Sequence, residues 1–133
     1  NGEKIIVRLN ELDQQLSSEM SEISDRTYLV LHDAYQYFES HYQLKSASSI
    51  TLQLGHFLGV SRLKKIQKMI KTIKVHCIFT EPQYSQKLVN TLIKDTSVKK
   101  GILDPIGVDI LPGSELYFDL LKNLSISLKS CLN

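Results

Sequence analysis

The chain has 133 residues, 42% of them apolar, which is enough for one domain with its own core. A charged fraction of 23% is ordinary, and a net charge of +2 is too small to argue for nucleic acid. No run approaches the ~20 apolar residues that span a bilayer. No signal peptide is visible and Asn1-Gly2 is not a natural start, so a processed product or a fragment is expected.

Ile5, Leu9, Leu12, Leu16, Met20 and Ile23 recur at spacings of three and four. That is one apolar stripe on a helix of about six turns, long enough to bridge two lobes. Residues 27–31 predict a strand that stops at His32, with Asp33 placed to cap a helix over 34–42. Tyr35, Phe38 and Tyr42 share a face of that helix and are expected in the core. A short strand is predicted over 49–54 and a second helix over 61–74. In that helix Leu63, Ile66, Ile70 and Ile73 face one way, while Lys64, Lys65, Lys68, Lys71 and Lys74 form a solvated face.

Residues 75–79 read as a strand that passes into Thr80-Glu81-Pro82-Gln83. Thr80 and Gln83 have capping-box spacing, and Pro82 suits the first turn of a helix bearing Leu88, Val89, Leu92 and Ile93. A further strand over 98–103 is closed by Asp104-Pro105. Residues 107–113 form a loop, and Ser114 is expected to cap a last helix bearing Leu116, Leu120, Leu121, Leu124 and Leu128. There are no internal repeats or flexible linkers. Alternating strands and helices predict an α/β three-layer sandwich around a central four-stranded, mainly parallel sheet, preceded by the end of the long helix.

Right-handed crossovers bring three strand ends to one edge, those at His32, Thr80-Glu81 and Asp104. Ligands of open α/β sheets bind at that edge. The three side chains read equally as a ligand set, as catalytic groups, or as caps and turn residues. A neutral imidazole is a good zinc ligand, and a single one makes only part of a site. His41 is expected at a helix end on the surface, and His56 and His76 in structural positions in or beside strands. Cys77 and Cys131 are either two buried thiols or one disulfide. A small hydrolase or transferase would use His32 as base, oriented by Asp104 or Glu81. No nucleophile elbow, P-loop or G-x-G-x-x-G supports that alternative.

His32-Asp33-Ala34-Tyr35 with Tyr37-Phe38-Glu39 resembles the strand-to-helix segment of the zinc-specific periplasmic solute-binding proteins of ABC transporters, the cluster A-I metal-binding family. Gly55-His56-Phe57, Cys77-Ile78-Phe79-Thr80-Glu81-Pro82-Gln83-Tyr84 and Gly101-Ile102-Leu103-Asp104-Pro105-Ile106-Gly107 follow in family order, and the last helix ends in Cys131-Leu132. The match covers nearly the whole chain. It departs after Gly55-His56-Phe57, where Leu58-Gly59-Val60-Ser61 is shorter than the family's loop and lacks its Asn-Pro-Glu run.

The resemblance implies that residues 1–25 are the last part of the inter-lobe helix and residues 26–133 the C-terminal lobe, with the N-terminal lobe absent from this chain. It implies that His32 is a zinc ligand, with two more histidines contributed by the other lobe, and that Cys77 and Cys131 are disulfide-bonded. The position of Asp104 is a direct carboxylate ligand in manganese-binding and some zinc-binding relatives. In the zinc-specific branch it often stands behind the ligands or leaves its place to water. Glu81 is expected at the helix start or behind the ligands rather than on the metal. The implied function is capture of zinc in the periplasm and delivery to an inner-membrane ABC permease, with nothing chemically transformed. Binding of manganese or another divalent metal, or an adhesion role, is the alternative within the family.

Overall fold

The structure, a computed structural model, describes residues 2–49 and 59–133. Four strands, β1 (Tyr28–Val30), β2 (Ser46–Ser49), β3 (Cys77–Thr80) and β4 (Lys99–Ile102), form one sheet in the order β2-β1-β3-β4. Every pairing is parallel. The helices are α1 (Gly2–Ser21), α2 (Gln36–His41), α3 (Val60–Thr72), α4 (Gln86–Ile93) and α5 (Leu116–Leu132). The expected α/β sandwich with a four-stranded sheet is therefore what the chain forms. The strand predicted over 49–54 meets β2 only at Ser49. Its remainder, together with His56 and the segment around it, lies outside the described residues.

Both faces of the sheet are covered, as the near-continuous apolar runs of a parallel sheet require. Leu29, Leu31 and Ile78 pack with Ile66 and Ile70 of α3 and Val89 and Leu92 of α4. On the other face Tyr28, Val30 and Phe79 pack with Met20, Ile23, Leu124 and Leu128. Helix α1 buries Leu12, Leu16 and Met20, whereas Ile5, Ile6 and Val7 at its first turns are exposed. Its apolar stripe thus runs beyond the surface that this lobe covers. Arg8 ties the exposed end of α1 to α5, pairing bidentately with Glu115 and lying 4.1 Å from the Phe118 ring centre.

Three predicted caps are corrected. Asp33 does not cap α2: the chain bends at residues 31–32, runs irregularly to Tyr35, and α2 starts at Gln36 with Tyr35 at its N-cap. Thr80 does not open a capping box, because α4 starts at Gln86, where Ser85 accepts from the Lys87 amide. Ser114 gives way to Glu115 as the N-cap of α5, without a side-chain cap. In the first two cases the strand-to-helix turn holds groups that face the sheet edge, and helix formation waits until they are placed. His76 stands directly before β3 as expected, with its side chain exposed and its ring 3.3 Å from the Thr27 carbonyl at the amino rim of the sheet.

Cys77 of β3 is disulfide-bonded to Cys131 of α5 across a sequence separation of 54. Gly101 of β4 lies against this bridge. A Cβ there would come within 2.5 Å of the Phe79 ring and 3.3 Å of Cys131 Cβ, so only glycine fits. Closing a loop of this length stabilises the fold by about 4 kcal/mol in the chain-entropy account. Replacing both cysteines by serine is expected to lower the urea midpoint by the equivalent of several kcal/mol, with addition of reductant to the parent chain giving the same loss. An unchanged midpoint would contradict this.

Candidate metal centre

His32 lies two residues beyond the end of β1, and Glu81 follows the last residue of β3, its neighbour in the sheet. Adjacent parallel strands in register bring the two side chains together at the carboxyl rim. Glu81 Oε1 lies 2.8 Å from His32 Nδ1. The histidine side chain is 46% exposed, while the glutamate is only 2% exposed. A carboxylate accepts and does not donate, so the imidazole donates through Nδ1 and Nε2 is left as the acceptor.

A buried carboxylate must be hydrogen-bonded to be tolerated. Glu81 gathers two further donors, as Gln83 Nε2 donates to Oε2 and the Tyr35 hydroxyl lies 3.3 Å from Oε1. The same hydroxyl is 3.3 Å from the Leu103 carbonyl at the end of β4, so one proton is shared between two acceptors. Burial, and then the neighbouring Glu81 carboxylate, push the Tyr35 hydroxyl well above the ordinary tyrosine range. It remains a donor at any physiological pH. Glu81 is thus the hub, and His32 is the one member of the group that reaches solvent.

Asp104 stands nearby, and its charge is felt at Tyr35, but its carboxylate is engaged elsewhere. Oδ1 accepts from the Ile106 and Gly107 amides at 3.2 and 2.9 Å, and Oδ2 accepts from the Val108 amide at 2.6 Å. Gly107, at φ +68°, supplies the left-handed turn that aims these amides. With about four lone-pair positions on a carboxylate, three amides leave room for a single further contact, on Oδ2. Among the described residues no hydrogen bond joins Asp104 to His32 or Glu81, and no group of three or more His, Cys, Asp or Glu side chains could hold a metal.

Two members of the hub escaped sequence reasoning. Gln83 was assigned to a cap and Tyr35 to the core. Tyr35 is indeed buried in the core, but its hydroxyl reaches back to the site. The spacing of Tyr35, three residues beyond His32, was the available signal. His41 lies on the surface as expected, where it donates through Nε2 to Asp13 Oδ1 at 2.7 Å and tethers α2 to α1. Tyr42 donates to the same oxygen, and the two bonds hold the Asp13 carboxyl below its ordinary range.

Tyr37, just beyond the segment that carries His32, and Ile106, Val108, Leu111 and Tyr117, which follow β4, are all exposed by half or more. Beside them a cleft of about 710 Å³ opens between α1, α2 and α5, lined by Leu9, Leu12, Phe38, Pro105 and Tyr117 among others.

Fold and site together define an α/β domain with a parallel sheet and one imidazole acceptor offered at the strand ends. Residues 1–131 match the family described as zinc-uptake complex component A, periplasmic, and the chain belongs to that family. It is 39% identical over 126 residues to the high-affinity zinc uptake system protein ZnuA of Brucella suis, a match covering 95% of this chain and 38% of that protein. It is 32% identical to the protein of the same name from Yersinia pestis, over 99% of this chain and 44% of that one. Among solved structures, a zinc-bound variant of AdcAII from Streptococcus pneumoniae superposes with a TM-score of 0.72 at 27% identity, over 98% of this chain and 48% of that one. The chain spans less than half the length of these relatives.

The arrangement predicts a tautomer. In the metal-free chain, nitrogen-15 NMR is expected to show His32 protonated on Nδ1 at alkaline pH, whereas free histidine favours Nε2. In Glu81→Ala the preference should revert to Nε2. An Nε2-protonated ring in the parent chain would contradict the assigned hydrogen bond.

Proposed function

We propose that this chain is the C-terminal lobe of a periplasmic zinc-binding protein and that His32 gives the lobe's zinc–nitrogen bond through Nε2. The observation that carries this is the hydrogen bond from Nδ1 to buried Glu81, with Nε2 left facing solvent. Metal-bound histidines typically have the second ring nitrogen held by a carboxylate, which fixes the ring and raises its basicity. Glu81 has that supporting role here, and Tyr35 and Gln83 fix Glu81 in turn. Asp104 shapes the 105–108 turn beside the site and keeps one lone pair facing outward.

One imidazole is a fraction of a tetrahedral zinc site. The remaining ligands belong to an N-terminal lobe, and the exposed apolar side chains that follow β4 belong to the surface that meets it. Residues 1–25 are the end of the helix that joins the lobes, in keeping with a stripe that runs past the core at Ile5. Affinity then arises from chelation across the cleft, and imidazole donors favour zinc over harder ions such as manganese. The loaded protein delivers the ion to an ABC permease, and no bond is made or broken in the cargo. Among the described residues no hydroxyl or thiol nucleophile is hydrogen-bonded to His32, which weighs against the hydrolase alternative.

Calorimetric titration tests this. The two-lobed parent protein should bind one zinc tightly, and the 133-residue chain at least about a hundredfold more weakly. In the parent, Glu81→Ala should cost about 10–100-fold in affinity, the range for loss of a carboxylate behind a ligating histidine. His32→Ala should cost more. Tight one-to-one binding by this chain alone, abolished by His32→Ala, would show that the lobe completes its own site and would overturn the shared-site reading.

A further inference from the structure

The net charge of +2 conceals a strong segregation. Residues 59–103 contain ten Lys and Arg against two Asp and Glu, one of them the buried Glu81, while the rest of the chain contains six against twelve. The fold turns this into a geometric separation. Helices α3 and α4 cover the same face of the sheet, joined by a hydrogen bond from Gln67 to the Thr91 carbonyl. Helices α1 and α5, with five Asp and Glu against four Lys and Arg, cover the other face. Lys64, Lys65, Lys68 and Lys71 project outward from α3, opposite buried Ile66 and Ile70.

The positive field continues around the amino rim of the sheet, away from His32. A cleft of about 710 Å³ there is lined by Arg26, Lys71, Lys74, His76 and Lys99, with Asp95 as its one acidic side chain. Among the described residues, none of the nine lysines between positions 59 and 103 forms an ion pair. Lys100 donates to the neutral Asn90 Oδ1, and Lys99 donates to the main-chain oxygen of Asn133. Residues 50–58 contain no Asp or Glu to serve them.

We propose that the α3–α4 face and its adjoining cleft form an electrostatic contact for an anionic phospholipid surface. Charge complementarity sets the sign, and the composition argues for lipid over an acidic protein. Protein interfaces are depleted in lysine and anchored by aromatic or arginine hot spots. Here nine of ten cations are lysine, and among the large apolar side chains of this layer only Val60 and Ile73 are exposed. A broad field of flexible lysines without apolar anchors suits a fluid, negatively charged membrane. The contact leaves the His32 rim uncovered, so it retains the protein near the bilayer without competing for the metal. Only the choice of membrane, the outer leaflet of the inner membrane, rests on the uptake reading.

The test is flotation of the chain with vesicles of phosphatidylcholine alone or with added phosphatidylglycerol, at low and high salt. Flotation is expected only with phosphatidylglycerol, and should fall as salt screens the contact. Each lysine near such a surface contributes about fivefold to partition, so Lys64→Gln, Lys68→Gln and Lys71→Gln together should weaken it about a hundredfold. Lys4→Gln with Lys122→Gln, in the opposite layer, should leave it unchanged. Equal flotation with neutral vesicles, no flotation at all, or a triple variant that behaves like the control would overturn the proposal. So would retention on polyglutamate without flotation, which would assign the face to an acidic protein. Flotation involves no zinc, so its failure overturns the membrane contact alone, and a failed zinc titration overturns the uptake reading alone.

Discussion

The burial of the Glu81 carboxylate is the constraint on which the site depends. A carboxylate with 2% exposure is stable only if donors surround it, and this one recruits them from three parts of the chain. His32 comes from just beyond β1, Tyr35 from the N-cap of α2, and Gln83 from the turn after β3. Each bond also positions the group that makes it. Rotation of His32 would remove one of the three donors to Glu81, and Tyr35 links the hub to the end of β4 through the Leu103 carbonyl. The histidine is therefore rigid on its inner side and open on its outer side, as a preorganised metal donor must be.

The remaining structure holds the strand ends that carry this hub. Parallel register sets His32 beside Glu81, and Phe79 fills the space that Gly101 leaves open. The Cys77–Cys131 bridge fixes β3 to the last helix one residue before the chain's own core ends at Leu132. At the opposite end of the lobe Arg8, Glu115 and Phe118 join α1 to α5, and Glu19 accepts from buried Ser125. Helices α1 and α5 are thus tied at both ends, and the exposed first turns of α1 are held on a stable base.

Much of this was legible in the residues. Among the described residues, periodicity predicts the five helices and the strands β1, β3 and β4, and the edge rule for parallel sheets brings His32, Glu81 and Asp104 to one rim. The caps were less legible. Thr80 and Gln83 have the spacing of a capping box, but the demand of buried Glu81 for a donor is a tertiary effect and takes Gln83 away. Asp33 follows the strand directly, yet the bend that brings Tyr35 under the site delays the helix by two residues. Charge segregation was hidden for a different reason: the lysines of α3 looked like one solvated helix face until α4 and the amino rim were seen to extend it.

The proposed site, an imidazole held from within by a buried carboxylate on a chain that spans less than half the length of its relatives, is physically coherent as half of a chelate. The zinc K-edge absorption spectrum of the loaded two-lobed parent protein tests that claim most directly. The account predicts that His32→Ala removes one imidazole from the zinc shell, while Glu81→Ala keeps the imidazole count and only weakens binding. An unchanged imidazole count in His32→Ala would contradict it.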